Sequence, residues 1–519
     1  MLKKLTRTLR AMSVVALAAG AIALTPAVAP ISSVAQAQEL EGGTLRVGVR
    51  NDMNSYDPMA FSAVNFFLIK NLYDSLIEYT AEGEAIPNLA SAWEVSDDNT
   101  SVTLTLRDDV TFADGDTMDA AAVAATLAKA SDPEAGKNIY ATTGIIEDWE
   151  VVDDFTITIN FKAPVPTKQI TDLLQFMPII DPDGIETAAT KPAGTGPFLL
   201  EDRVVGQSLT LTANPNYWRE NEPVLDGIEF TVFSDDAAAS AALESGGIDL
   251  IYSGESRSAV RLRDQGFQVL QGPGKLVQVF RINSTRAPFS NDSFRQAFNY
   301  LMNRPAILRI GYADLGEVTA LPWAPASPAF DASFTEAYAY DIEKAKELLA
   351  ASGLSNDEMT DWKLLVNGGQ EASVLISQIV QATLSEAGLE IELDLREGAE
   401  FIDALLGGDF HAVFGGVGNV QKFPSRVATN SIYRTANNPV LGEPHPHPDY
   451  VAAIEAVNTA FGSDVQAAYD NLNQVLVTEV FAVPTNSYET GLIVAAPNVG
   501  GFTLDIDNLL VGRTIGFAE

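Results

Sequence analysis

Between Asp341 and Phe414 short apolar runs alternate with segments of helical spacing, and few folds accommodate that order. Asp341 caps a helix that turns Ile342, Ala345, Leu348 and Leu349 inward and stops at Gly353, and Lys363 to Asn367 follows as a strand. Val374 to Ala387 is a helix ended by Gly388, and Leu389, Ile391, Leu393 and Leu395 alternate as the next strand. Glu400 to Leu406 and Phe410 to Phe414 repeat the pair. Parallel strands need a crossover that is usually a helix, so this order predicts βαβ units in a mainly parallel sheet. Ligands are then expected near the carboxyl ends of its strands.

The amino terminus has a different purpose. Lys3, Lys4, Arg7 and Arg10 precede the apolar run Val14 to Leu24, and Ala35-Gln36-Ala37 offers small residues for cleavage. The run falls short of the about 20 residues needed to span a bilayer. Residues 1–37 therefore read as a signal peptide cleaved after Ala37, with a membrane anchor as the alternative. No cysteine occurs, which leaves neither a lipid attachment point nor a disulfide framework. The expectation is a free periplasmic protein stabilised by its cores, which 519 residues with 46% apolar content can supply. A net charge of −37 argues against a nucleic-acid partner.

From Thr44 the chain opens with a strand (Leu45, Val47 and Val49 on one face) and a helix carrying Phe66, Ile69, Tyr73 and Leu76. Residues 90–185 read as a small α+β unit with alternating strands at Val102 to Leu106 and Phe155 to Phe161. Leu276 to Ile282 is a further strand. It runs through turn formers into a helix placing Phe294, Ala297, Phe298 and Leu301 on one face, capped by Asn291, Asp292 or Ser293, and then into another capped by Asn303. Val483 to Val494 reads as one strand-like return.

Short motifs along this path carry a resemblance. FRINSTRAPFSNDSFRQAFNYLMNRPAIL (280–308) resembles the segment with which family 5 solute-binding proteins of ABC transporters, the oligopeptide-, dipeptide- and nickel-binding proteins, enter their second lobe. GTLRVGVRNDMNSYDP, the IPNLASAWEV stretch with its later F-A-D-G, GTGPFLL, NPNYW, PVLDGIEF and the closing APNVGGF follow in the family's order. The resemblance runs from Gly43 to Phe502. It implies an α/β, two-lobed periplasmic-binding-protein fold with an extra α+β subdomain inserted in lobe one. Lobe one would comprise 38–80, 190–275 and 488–519, the insertion 80–190, and lobe two 276–487. It further implies a monomer that captures a small solute, peptide-like or sugar-like, and hands it to the permease subunits of an ABC importer.

Carried over residue by residue, the family's contact positions fall on Phe61, Ser62 and Ala63 in the first loop and on Asn367, Gln370 and Glu371 after a lobe-two strand. Gly416, Val417 and Asn419, and Tyr488 on the return strand, complete them. Arg281 is added for its place beside the crossover, a surface salt bridge being the alternative. Peptide-binding members read G-W-x-x-D where this chain has Gly415-Gly416-Val417-Gly418-Asn419, so the carboxylate that receives a peptide amine is a neutral amide here. Glu371 is the other residue able to supply that charge, and the missing indole is expected to leave room beside the glycines. The solute expected is therefore a non-standard peptide, an opine-like conjugate or an oligosaccharide.

Chemistry other than binding finds little support. There is no G-x-S-x-G, no H-E-x-x-H and no cysteine nucleophile, and the glycines near 194 lack the Lys-Ser or Lys-Thr of a phosphate loop. His445-Pro446-His447 could chelate a metal, but the flanking prolines favour an extended surface loop, and His411 stands apart. No catalysis, cofactor or metal is expected. The Asp-Asp pairs read as turns and the tryptophans as core, with Trp323 the weaker candidate for the cleft. A secreted hydrolase, separated by a turnover assay, and an extracytoplasmic sensor of the same solute, separated by neighbouring genes, are the alternatives.

Overall fold

The computed structural model describes residues 40–53, 55–60, 65–271, 274, 276–418, 420, 422–433, 437–441, 446–488, 492–504 and 510–518. Residues 1–37, read above as a signal peptide, lie outside them. Two large sheets organise these residues. The first has seven strands in the order Gln268–Leu270, Leu492–Ala495, Leu250–Gly254, Thr44–Val49, Gly227–Val232, Ser208–Ala213 and Phe198–Val204. Thr44–Val49 is parallel to both its neighbours, facing Gly227 to Val232 residue for residue, and the outer pairings are antiparallel. Leu45 and Val47 have no exposed surface, as the alternation requires.

The second sheet runs Glu317–Val318, Ala482–Tyr488, Leu276–Ile282, Ala412–Gly418, Lys363–Asn367 and Glu392–Arg396. Its parallel part is the βαβ run: Lys363–Asn367 is parallel to Glu392–Arg396 and to Ala412–Gly418. The expected mainly parallel sheet is otherwise mixed, because Leu276–Ile282 and Ala482–Tyr488 pair antiparallel with their neighbours. These strands are not joined by helical crossovers. They lead in from and back to the first sheet, after Leu270 and before Leu492. The single return strand read from Val483 to Val494 is thus two strands in different sheets, with Tyr488 the last residue of the first.

Both faces of Leu276–Ile282 are covered, which explains why five of its seven residues are apolar. Val277 and Val279 join a core with Trp323, Tyr450 and Leu472, while Phe280 and Ile282 join Phe294, Phe298, Trp362 and Ile376 on the other side. In the latter core Phe289 meets Phe294, Phe298 and Trp362 edge-on, with centroids 5.1 to 5.2 Å apart. Each fully buried ring contributes about 1.5 to 3 kcal/mol. The helix starts follow the sequence: Asn291 accepts from the Phe294 N–H, Asn303 from Ala306 and Asp341 from Lys344, at 3.1, 3.1 and 2.9 Å.

The α+β unit is a four-stranded antiparallel sheet, Ala90–Val95, Ser101–Leu106, Thr156–Phe161 and Ile146–Asp153, with helices Ala120–Ala130 and Thr167–Gln175. Asp98 is a turn residue, as read, whereas Asp235, read as a turn with Ser234 opening the helix, is itself the helix cap. Asp98 accepts from the Thr100 backbone, and Asp235 caps Asp236–Glu244 through the Ala238 N–H. Trp323 corrects an expectation. It is fully buried and donates from Nε1 to the Asn473 side chain at 2.6 Å, so it belongs to the core and not to a cleft.

Candidate functional site

A cavity of about 610 Å³ is walled by elements of both sheets. Arg50, directly after Thr44–Val49, and Glu255 and Arg257, at the start of Ser256–Asp264, come from the first. Gln278, Tyr312, Glu371 and Tyr488 come from the second. The carboxyl ends of two adjacent parallel strands, Thr44–Val49 and Leu250–Gly254, therefore feed the first wall. The turn after Lys363–Asn367 feeds the second. This is where open α/β sheets present residues to ligands.

Of the residues nominated from sequence, Gln370, Glu371 and Tyr488 line this cavity. Gln370 is the residue before helix Glu371–Glu386 and does not cap it with its side chain. Asn367 is held back, its Oδ1 accepting the Gly369 N–H at 3.1 Å, so it shapes the turn that presents Gln370. Tyr488 packs on Tyr312 with ring centroids 4.3 Å apart. Burial pushes the Tyr312 phenol well above its ordinary value, which keeps it a neutral hydroxyl. Glu371 accepts from Arg257 Nη1 at 2.6 Å, and Arg257 Nη2 donates to the Ile310 carbonyl at 3.1 Å. The charge nominated as a substitute amine receptor thus already has a cation from the opposite wall.

Gly416 and Val417 lie elsewhere. The last strand of the βαβ run extends to Gly418 instead of ending at Phe414, so Gly415 to Gly418 are paired strand residues and not a loop. Pairing with Leu276–Ile282 on one side extends the ladder through the glycines. Val417 is 1% exposed and sits in the core. The room expected beside the glycines is largely taken: a Cβ on Gly416 would stand 2.6 Å from Leu276 Cδ2, and one on Gly415 would stand 3.5 Å from Arg281 Nε. Among the described residues, a Cβ on Gly418 would meet nothing within 4 Å. Phe61, Ser62, Ala63 and Asn419 lie outside the described residues.

Arg281 donates from Nη2 to the Gly416 carbonyl at 3.0 Å and forms no salt bridge among the described residues, so the surface ion pair is not what holds it. Its Nε is buried without an acceptor among the described residues, and burial lowers its pKa from the ordinary value. His447 lies 3.5 Å from Glu479, His445 is outside the described residues, and no group of three metal-ligating side chains occurs among the described residues.

A second contact joins the α+β unit to the segment after Gly418. The Phe423 N–H donates to Asp172 Oδ2 at 2.9 Å, Lys422 Nζ to Gln175 Oε1 at 3.0 Å, and Arg426 Nη1 to Thr142 Oγ1 at 2.9 Å. Asp172 also receives Lys168 and the Tyr79 hydroxyl. Lys422 is fully buried, with its ammonium 4.6 Å from the Phe176 ring centre. Neither this contact nor Arg50, Arg257 and Tyr312 was singled out from sequence. Arg50 and Glu255 were within reach of it, since each directly follows a strand of the first sheet.

The comparisons agree with this architecture. Residues 84–438 match the model of the bacterial extracellular solute-binding proteins, family 5 middle. The glutathione-binding protein GsiB of Salmonella paratyphi A is 27% identical over 71% of this chain and 72% of its own. The nickel-binding periplasmic protein of Escherichia coli is 26% identical over 86% and 88%. The substrate-binding protein CtaP of Listeria monocytogenes superimposes with a TM-score of 0.80 at 20% identity, over 93% of this chain and all of that one. The path, the two-sheet architecture and these matches together make this chain a member of family 5 of the bacterial extracellular solute-binding proteins.

Proposed function

We propose that the protein is the solute-binding component of an ABC importer of the peptide-transport type, which captures a small solute between two lobes and delivers it to membrane permease subunits. The observation that carries this reading is the cavity of about 610 Å³ whose walls come from both sheets, so that a solute filling it bonds to both at once. Such a solute stabilises the closed arrangement only to the extent that it prefers it, which is how binding becomes a signal to a permease.

The lobes are 38–80 with 190–275 and 488–519, and 276–487, the insertion being 80–190; sheet membership supports this division apart from Tyr488, which pairs within the second sheet. Glutathione and nickel, named for the relatives, make a peptide-like or chelated solute the first class to examine. The neutral Asn419 and the engaged Glu371 favour one without a free α-amine at that point. The protein acts as an exported monomer, cleaved after Ala37 and free of lipid.

Mass spectrometry of small molecules released by denaturing the purified protein tests this reading. One species at about one equivalent, recovered chemically unchanged after long incubation with the protein, is the expected result. Catalytic turnover of that species would replace the binding protein with a hydrolase.

A further inference from the structure

Of the two arginines on the cavity wall, one is matched and the other is not. Arg257 is paired with Glu371, and Asp236 Oδ1 accepts the Glu255 N–H at 3.1 Å. Arg50 lines the same cavity and, among the described residues, makes no hydrogen bond and no ion pair; its Nε is sealed from solvent without an acceptor. Asp235 feels its charge, but its oxygens are committed to the Ala238 N–H at 2.7 Å and the Ser234 hydroxyl at 3.0 Å. Acidic residues outnumber basic ones by 69 to 32, so a carboxylate is the easiest partner for this chain to provide, yet Arg50 has none of its own.

We infer that Arg50 is a specificity-determining residue that receives an oxyanion of the solute, a carboxylate, sulfate or phosphate group, at the first-sheet end of the cavity. A guanidinium presents a planar fork of donors that matches two oxygens of such a group, and a charge-assisted pair of this kind is stronger than a neutral hydrogen bond. Asp236 and Glu255 stand on the same wall and repel a second anion, which confines the anionic group to Arg50 and leaves the remainder of the solute neutral or cationic. A partly buried guanidinium with no hydrogen-bonded partner among the described residues also selects against uncharged analogues, which would close the cavity over it unpaired. This rests on the cavity being the solute site.

The test uses inorganic sulfate as probe. Unfolding temperatures of wild type, Arg50→Met and Arg50→Lys are measured in sodium sulfate and in sodium chloride at equal ionic strength, so that general salt effects cancel between variants. Wild type is expected to gain about 1 °C more than Arg50→Met in sulfate, with Arg50→Lys recovering part of the gain. Equal sulfate gains in wild type and Arg50→Met overturn the inference. Gln278→Ala, on the opposite wall, addresses the cavity itself through the small molecules it retains on purification. Loss of the wild-type complement in Gln278→Ala together with equal sulfate gains refutes the role of Arg50 and leaves the cavity standing. A full complement in both Gln278→Ala and Arg50→Met removes the cavity as the solute site, and the inference with it.

Discussion

Arg257 and Glu371 meet at 2.6 Å, one at the start of a helix beside the first sheet and the other at the start of a helix beside the second. Opening the cavity they line must separate them. Both side chains are more than half exposed, 52% and 73%, so the pair contributes at most about 1 kcal/mol and is screened by salt. Arg257→Gln and Glu371→Gln are expected to leave global stability within about 0.5 kcal/mol of wild type. Each should shift the solute-free protein toward a larger radius of gyration at low salt, with the difference from wild type vanishing at about 1 M salt, where the screening length is about 3 Å. Small-angle scattering across a salt series checks this, and a difference that persists at high salt would contradict it.

The glycine strand makes a paired prediction. Gly416→Ala places a methyl group 2.6 Å from Leu276 Cδ2, the end of a half-buried side chain that must move to admit it, and is expected to cost about 1 kcal/mol. Gly418→Ala, two residues on, meets nothing within 4 Å among the described residues and is expected to change stability by less than about 0.5 kcal/mol. Urea unfolding of the two variants side by side distinguishes a strand from a loop, since a loop would tolerate both.

Trp323 and Asn473 supply a buried test of the second core. Asn473 accepts from the indole at 2.6 Å and donates to the Ala329 carbonyl at 2.9 Å, with no exposed surface. Asn473→Leu strands two polar groups and is expected to cost about 1 to 3 kcal/mol, and Trp323→Ala about 3 to 5 kcal/mol. Denaturant midpoints measure both. Neutral outcomes would place this tryptophan at a surface.

Acid stability should depend on Glu78, which is held by two bonds from Arg513 at 3.0 and 2.9 Å. Burial pushes its carboxyl up, but Arg513, Lys70 and Arg219 together outweigh burial and bring it below the ordinary 4.5. A carboxyl lowered on folding contributes stability that is fully present above that ordinary value and is lost as pH falls through the folded value. Glu78→Gln is therefore expected to destabilise by about 1.5 to 3 kcal/mol near neutrality, because Arg513 loses one of its two carboxylates and keeps Glu222 at 2.8 Å. The gap from wild type should narrow as pH drops below 4.5. A gap that does not change with pH would assign the loss to packing.

Local signals in the sequence were sufficient for much of this. Asn291, Asn303 and Asp341 cap the helices expected of them, and the alternation after Lys363 forms the parallel half of the second sheet. What failed was non-local. Whether Tyr488 and Leu492 continue one strand or part into two sheets depends on partners more than 200 residues away. The strand expected to end at Phe414 runs on to Gly418, because pairing to Leu276–Ile282 overrides the low strand propensity of glycine. At the site, Gln370, Glu371 and Tyr488 were found through the ends of second-sheet strands. Arg50 and Arg257 were missed because the same rule was not applied to the first sheet, whose parallel strands are separated by the inserted unit.

Small-angle scattering of the protein bearing its co-purified solute, and again after the solute has been stripped by unfolding and refolding, tests the two-lobed capture most directly. The predicted result is a larger radius of gyration once mass spectrometry shows the solute gone, restored when it is added back. Superimposable profiles for the stripped and solute-bearing protein would contradict closure around a solute.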